Sequence, residues 1–467
     1  MKYDLIMKRG RVVDAHTGLD GKYDVGIKSG KIAEVAPNLS PISAENVVDA
    51  EGYVVMPGVI DSHVHVSSQE RWVGFAMMAS KGVVTAVDFG GPIQSSLEGL
   101  KTHGCGMNLA GLHTVVPGED TKDIDPTPDE LGQIADEALK AGAIGLKMVG
   151  GHRPASPEVT ARIIEIANQK GCYIAFHAGT TATGSNIEGF HEAVKLAGKN
   201  RLHIAHVNSY CRGLNKVPAA EALEAAESLR QHRHLVSESY LGTINGTSAS
   251  CVDGLPTSHV TRNCLKMGGY EPTEKGMGEA ILGGWALIQV LIGGKLELVT
   301  GREGHDIWLA AKTKTGVSFP VNDTTSMHIL ATAKTKDGEF AVDAISTDGG
   351  GIPRNVQLER GAALVRLGAL TWPELVRKLT INPARMLGFE NKGSLAEGFD
   401  ADVTIACPVT GRAKMAVSRG QIIMVDGVVV GRGGHLLTTE LGLKNAQAAG
   451  ISAEAVDLSK SWFYTRS

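Results

Sequence analysis

Long apolar runs are missing: nothing in the 467 residues approaches the roughly 18–20 uninterrupted apolar positions of a membrane-spanning helix. Basic tracts are missing too. The 46 Lys and Arg are scattered and the formal net charge is −4, so nothing marks a nucleic-acid or anionic-membrane surface. Cysteine is sparse, six residues with no C-x-x-C pair, which argues against a disulfide framework and for reduced thiols. Aromatics are only 5% of the chain and are not interleaved with basic residues, which removes a base-stacking platform. The opening stretch MKYDLIMKRGRVVDAHTG threads charges through its apolar residues, unlike a signal peptide. These absences together predict a soluble, cytoplasmic protein with neither a nucleic-acid nor a membrane partner.

Glycine, by contrast, is plentiful at 58 residues, as a fold with many tight strand-to-helix turns requires. Residues 1–55 alternate apolar and polar in short runs bounded by Gly, Asp or Asn, the texture of short strands and hairpins. The texture returns near the other end, and the spacing predicts one small β-sandwich built from 1–55 and 391–440. Between them, short apolar runs alternate with amphipathic segments such as SPEVTARIIEIANQKG. Counting PGVIDSH as the first, eight such runs occur, which predicts an α/β fold: a (β/α)8 TIM barrel over 56–390. A doubly wound sheet is the alternative. Residues 245–342 read as a long insertion after the seventh strand that covers the site. The tail 441–467 reads as helical and then loose, with Trp462 and Tyr464 docking it on a neighbouring surface or subunit.

In a barrel the chemistry sits at the C-terminal ends of the strands, so the polar residues that end the apolar runs are the candidates. His63 and His65 in DSHVHV lie two apart and share one strand face. Lys147 in GLKM, His177 in FHAG, His206 in AHVN and Asp348 in STDGG follow in order. A lone strand-end histidine is more often a core residue, and an aspartate before three glycines can simply start a turn. His203 competes with His206, which lies nearer the strand end. Lys147 fits the bland reading least, because a lysine inside an apolar strand must find a partner or shift its pKa.

PGVIDSHVHV, GLKM, FHAG, AHVN and STDGG in this order, followed by LTINPARMLGFENKGSLAEGFDADVTI, resemble the amidohydrolase superfamily over roughly residues 3–430. The pattern is similar to its binuclear branch, in which a strand-four lysine carboxylated by carbon dioxide bridges two metals. The resemblance implies that His63, His65 and Asp348 bind one divalent ion, that His177 and His206 bind the second, and that carboxylated Lys147 joins them. Zinc is the first choice of metal, with manganese, cobalt and iron as alternatives. Two such ions lower the pKa of a shared water to near neutrality, and the family pattern makes Asp348 the general acid/base. The implied reaction is hydrolysis of a C–N amide bond in a small-molecule substrate, and the implied assembly a homo-oligomer, a dimer or tetramer.

The resemblance is to hydantoinases, dihydropyrimidinases, dihydroorotases and allantoinases, which open cyclic amides, and also to isoaspartyl dipeptidases and N-acyl-amino-acid deacylases. Hydantoinases carry a tyrosine five residues after the lysine; here His152 stands there. His152 and Arg153 are similar to the pair in isoaspartyl dipeptidases, where an arginine holds a substrate carboxylate. Tyr210 and Arg212 after strand six, Tyr240 and Asn245 after strand seven, and Arg354 after Asp348 complete the candidate substrate contacts. A cyclic amide is the leading expectation, with an acyclic deacylase or dipeptidase second. A deaminase is disfavoured by Lys147, and a non-catalytic scaffold by the presence of all six ligand positions.

Overall fold

A computed structural model describes residues 1–466. Its centre is a barrel of parallel strands: Val59–His65, Val83–Gly91, Asn108–Val115, Gly145–Met148, Tyr173–Phe176, His203–Ile204, Val236–Tyr240 and Ala344–Ser346, hydrogen-bonded in chain order. The pair Gly349–Gly350, just beyond the eighth strand, registers against Val64 and His65 of the first and closes the ring. Gly145–Met148, Tyr173–Phe176 and Val236–Tyr240 are buried along their whole length, as strands covered on both faces must be. The helices between them carry their own stop signals. Pro128–Ala141, for example, is capped by the Thr127 side chain, has Pro at its first position and ends at Gly142 with φ 115°.

The two ends of the chain share one nine-stranded sheet. It is sewn together where Val54–Pro57 pairs antiparallel with Val403–Ala406, around a core that includes Leu5, Val12, Val25, Ile405 and Val417.

Two features differ from the sequence reading. His435–Thr438, expected in the sandwich segment, instead pairs parallel with Asn108–Val115, and Ser452–Ala455 pairs in turn with it. The tail is not loose. Phe463 is fully buried and stacks on Tyr173, the Tyr464 hydroxyl donates to the Cys172 carbonyl at 2.7 Å, and Arg466 pairs with Asp343. The docking expected of Trp462 and Tyr464 is present, both packing against the barrel core, and the fully buried Phe463 between them anchors it.

The insertion after the seventh strand has its own four-stranded sheet, made of Thr247–Ser248, Gly316–Ser318, Leu287–Ile292 and Lys295–Val299. Its core holds Trp308, Phe319, Met277 and Leu265. Among the described residues no helix is long and apolar enough to cross a membrane.

Candidate metal centre

Five strand ends deliver His63, His65, Lys147, His177, His206 and Asp348 to the wall of one cavity of about 130 Å³ at the C-terminal mouth of the barrel. The insertion roofs it with Asn245, Gly246 and Val260. Asp348 sits in the break between the eighth strand and the closing glycines, and its backbone is left-handed with φ 50°. His206 is also left-handed, with φ 34°. Such backbone in residues other than glycine is strained and clusters at functional sites.

Asp348 Oδ1 lies 2.8 Å from His65 Nε2 and 3.4 Å from His63 Nε2. Its other oxygen is held by the Arg354 guanidinium at 2.6 Å, and Arg354 Nε donates to the Asp348 carbonyl at 2.7 Å. Burial pushes this carboxyl up, but Arg354 and the surrounding histidines hold it well below the usual carboxylate range. Burial also pushes His63, His177 and His206 well below their ordinary value, towards the neutral imidazole that a metal needs.

The residues fit a metal. His63 Nε2, His206 Nδ1 and Lys147 Nζ are buried with no hydrogen-bond partner, an expense that folded proteins rarely tolerate. Ligand atoms of His63, His206 and Asp348 all lie within 4.8 Å of one another. Lys147, pushed down by burial to about 8, sits 4.8 Å from the centre of the Phe89 ring and ends on nothing.

The remaining expected residues divide. His152, Arg212, Tyr240 and Asn245 line the cavity. Burial takes His152 down to about 3, and its Nδ1 lies 3.1 Å from the Ser258 hydroxyl of the insertion. Arg212 bonds Asn322 and Ser209, and Tyr240 accepts from Asn322. Asn245 has both ends of its amide engaged, by Cys264 and the Phe319 N–H. Three residues lie elsewhere. Arg153 points outward, half exposed, into an ion pair with Glu119. Tyr210 is buried behind His206, its hydroxyl accepting the Ala178 N–H. Arg354 spends its charge on Asp348.

Two residues emerge that the motifs did not indicate. Arg71 reaches the cavity from the short turn Gln69–Arg71 and forms no ion pair among the described residues. Glu238, fully buried in the seventh strand, binds His63 Nδ1 at 2.7 Å. A charge inside the strand run HLVSESYLG was the available signal for it.

The profile of the Amidohydrolase family matches residues 54–430. A dihydroorotase from Geobacter sulfurreducens is 26% identical over 420 residues, covering 85% of this chain and 87% of its own. An N-acyl-D-glutamate deacylase from Bordetella bronchiseptica, solved with zinc and a phosphonate inhibitor, superposes with a TM-score of 0.69 at 16% identity, over 93% of this chain and 99% of that one. A dihydropyrimidinase from Brevibacillus agri superposes with a TM-score of 0.62 at 18% identity, over 92% and 97%. At these identities the two structures speak for a shared fold alone. The chain belongs to the amidohydrolase family.

Proposed function

We propose that the protein is a divalent-metal-dependent hydrolase that opens a small cyclic amide of the hydantoin, dihydropyrimidine or lactam type bearing a carboxylate. The observation that carries this reading is the convergence of six ligand-type side chains on one buried cavity, three of them with orphaned donor atoms. His63, His65 and Asp348 would hold one ion, His177 and His206 the other, and Lys147 would join them. Carboxylation bonds the Lys147 nitrogen to the carbon of carbon dioxide with release of one proton, and so turns an unpartnered amine into an anionic oxygen ligand. Zinc is the first candidate, and manganese, cobalt or iron would suit the same nitrogen and oxygen donors. When bound, such ions activate water and polarise the amide carbonyl.

The chain's own groups do the rest. Arg354 fixes one oxygen of Asp348, leaving Oδ1 to take a proton from the attacking water and return it to the departing nitrogen. The insertion roof keeps bulk water out. Arg71 and Arg212 form no ion pair among the described residues, and both face the cavity; Arg71 takes the substrate carboxylate.

A cavity of about 130 Å³ favours a compact ring over an extended acyl chain. The likeness to a dihydroorotase, at 26% identity, supports the same choice. One observation favours an acyclic N-acyl-amino-acid or isoaspartyl-type substrate instead. A groove of about 640 Å³ lies behind the wall formed by Gly151 and Ser185, and Ser185 hydrogen-bonds His177 at 2.9 Å. The test is metal-reconstituted enzyme assayed on hydantoins, dihydropyrimidines, lactams, N-acyl amino acids and isoaspartyl dipeptides. Turnover of carboxylated cyclic amides is expected. Turnover confined to acyclic amides would overturn the substrate class, and no amide hydrolysis by the loaded enzyme would overturn the reading itself.

A further inference from the structure

Glu238 lies inside the seventh barrel strand, buried completely between Ser237 and Ser239. Its Oε1 accepts from His63 Nδ1 at 2.7 Å and from the backbone N–H of His206 at 2.6 Å. Its Oε2 accepts the hydroxyl of Ser346, two residues before Asp348. One carboxylate therefore ties together the three strand ends that carry His63, His206 and Asp348, the same three residues whose ligand atoms lie within 4.8 Å of one another. His65, His177 and Lys147 make no hydrogen bond to it.

Two consequences follow. A carboxylate only accepts, so His63 carries its proton on Nδ1 and turns the Nε2 lone pair into the cavity, where Nε2 has no hydrogen-bond partner and lies 3.4 Å from Asp348 Oδ1. The bond to the His206 N–H also steadies a left-handed backbone that persists only where its surroundings over-determine it.

We propose that Glu238 is a positioning residue that fixes the His63 tautomer and ties the strand ends of His63, His206 and Asp348, so that the ion held by His63, His65 and Asp348 binds before Lys147 is carboxylated. The inference rests on the metal reading above. A carboxylate behind a metal-binding histidine fixes its tautomer and raises its basicity, and losing such a partner weakens metal binding about 10–100-fold.

The experiment titrates chelator-stripped enzyme with Co2+, followed by visible absorbance, in wild type, Lys147→Met and Glu238→Gln. The tight step is expected to survive Lys147→Met and to weaken about tenfold or more in Glu238→Gln, the looser step changing little. Should Glu238→Gln not fold, Ser346→Ala, which removes only the hydroxyl behind Oε2, is expected to weaken the same step by a smaller factor. In metal-free wild type carrying ¹⁵N-histidine, His63 is expected to be protonated on Nδ1. An unchanged tight step in a folded Glu238→Gln or Ser346→Ala variant, or a His63 proton on Nε2, would overturn the proposal and leave the metal reading standing. A wild type that binds no Co2+ would overturn both.

Discussion

Lys147 and Lys392 are equally buried, each 2% exposed, at opposite ends of the barrel. Lys392, at the N-terminal end, donates to Asp400 at 2.7 Å and Asp402 at 3.0 Å, with Glu454 at 3.8 Å. Burial pushes its pKa down, but the surrounding carboxylates more than reverse the shift and leave it raised. Asp402 in turn accepts from Asn108, at the start of the third strand, so the cluster locks the terminal sheet to the barrel floor. Lys147, at the C-terminal end, has no hydrogen-bond partner and is pushed down to about 8. The floor lysine is satisfied by the chain itself. The mouth lysine is left for something the chain does not encode, and that asymmetry separates a structural site from a functional one.

The comparison is broken most severely at the mouth. Lys147→Met is expected to lower amide hydrolysis on the order of a thousandfold, because metal-ion catalysis supplies several kcal/mol of transition-state stabilisation. The same variant, with metal removed, is expected to melt about 1 kcal/mol more stably than wild type, since an unsolvated amine gives way to an apolar chain. Steady-state kinetics and thermal melts on one preparation check both.

At the floor the sign reverses. Lys392→Met strands buried carboxylates and should cost about 3–5 kcal/mol of stability, while kcat in the folded fraction stays close to wild type. Denaturant titration beside an assay reads this directly. A Lys392→Met protein as stable as wild type would remove the contrast.

Within the mouth, Arg71→Met is expected to raise KM for a carboxylate-bearing substrate by about tenfold, the worth of one charge-assisted bond. Arg153→Met should leave KM unchanged, because Arg153 is spent on Glu119 at the surface.

The smallest effect is one of pH. Burial pushes Asp400 up, but Lys392 and Lys31 hold it below its ordinary 3.8. A carboxyl with a lowered native pKa contributes stability that is complete above the unfolded value and fades as pH falls through the native one. The stability gap between wild type and Lys392→Met should therefore narrow below about pH 4, as melts across acid buffers would show.

The contrast also explains what was legible in the sequence. Lys147 stood out because a cation in an apolar strand violates a local rule, and the barrel followed from the alternation of apolar runs with amphipathic segments. Glu238 breaks the same rule in HLVSESYLG. Its signal is masked because flanking serines make the strand look polar and because its partner His63 is 175 residues away. Arg71 carries no local signal at all: what brings it to the cavity is the fold of a three-residue turn, Gln69–Arg71. Arg153 shows the converse, a residue whose sequence neighbourhood suggests a substrate clamp and whose side chain lies outside. The outlying strands His435–Thr438 and Ser452–Ala455 depend on an open edge beside the barrel, which no window of sequence encodes.

The central claim is that the mouth of the barrel is completed by two metal ions joined through a carboxylated Lys147. Elemental analysis of enzyme reconstituted in bicarbonate, wild type beside Lys147→Met, tests it most directly. The account predicts two divalent ions per chain in wild type and one in the variant. Two ions in both, or none in wild type, would contradict it.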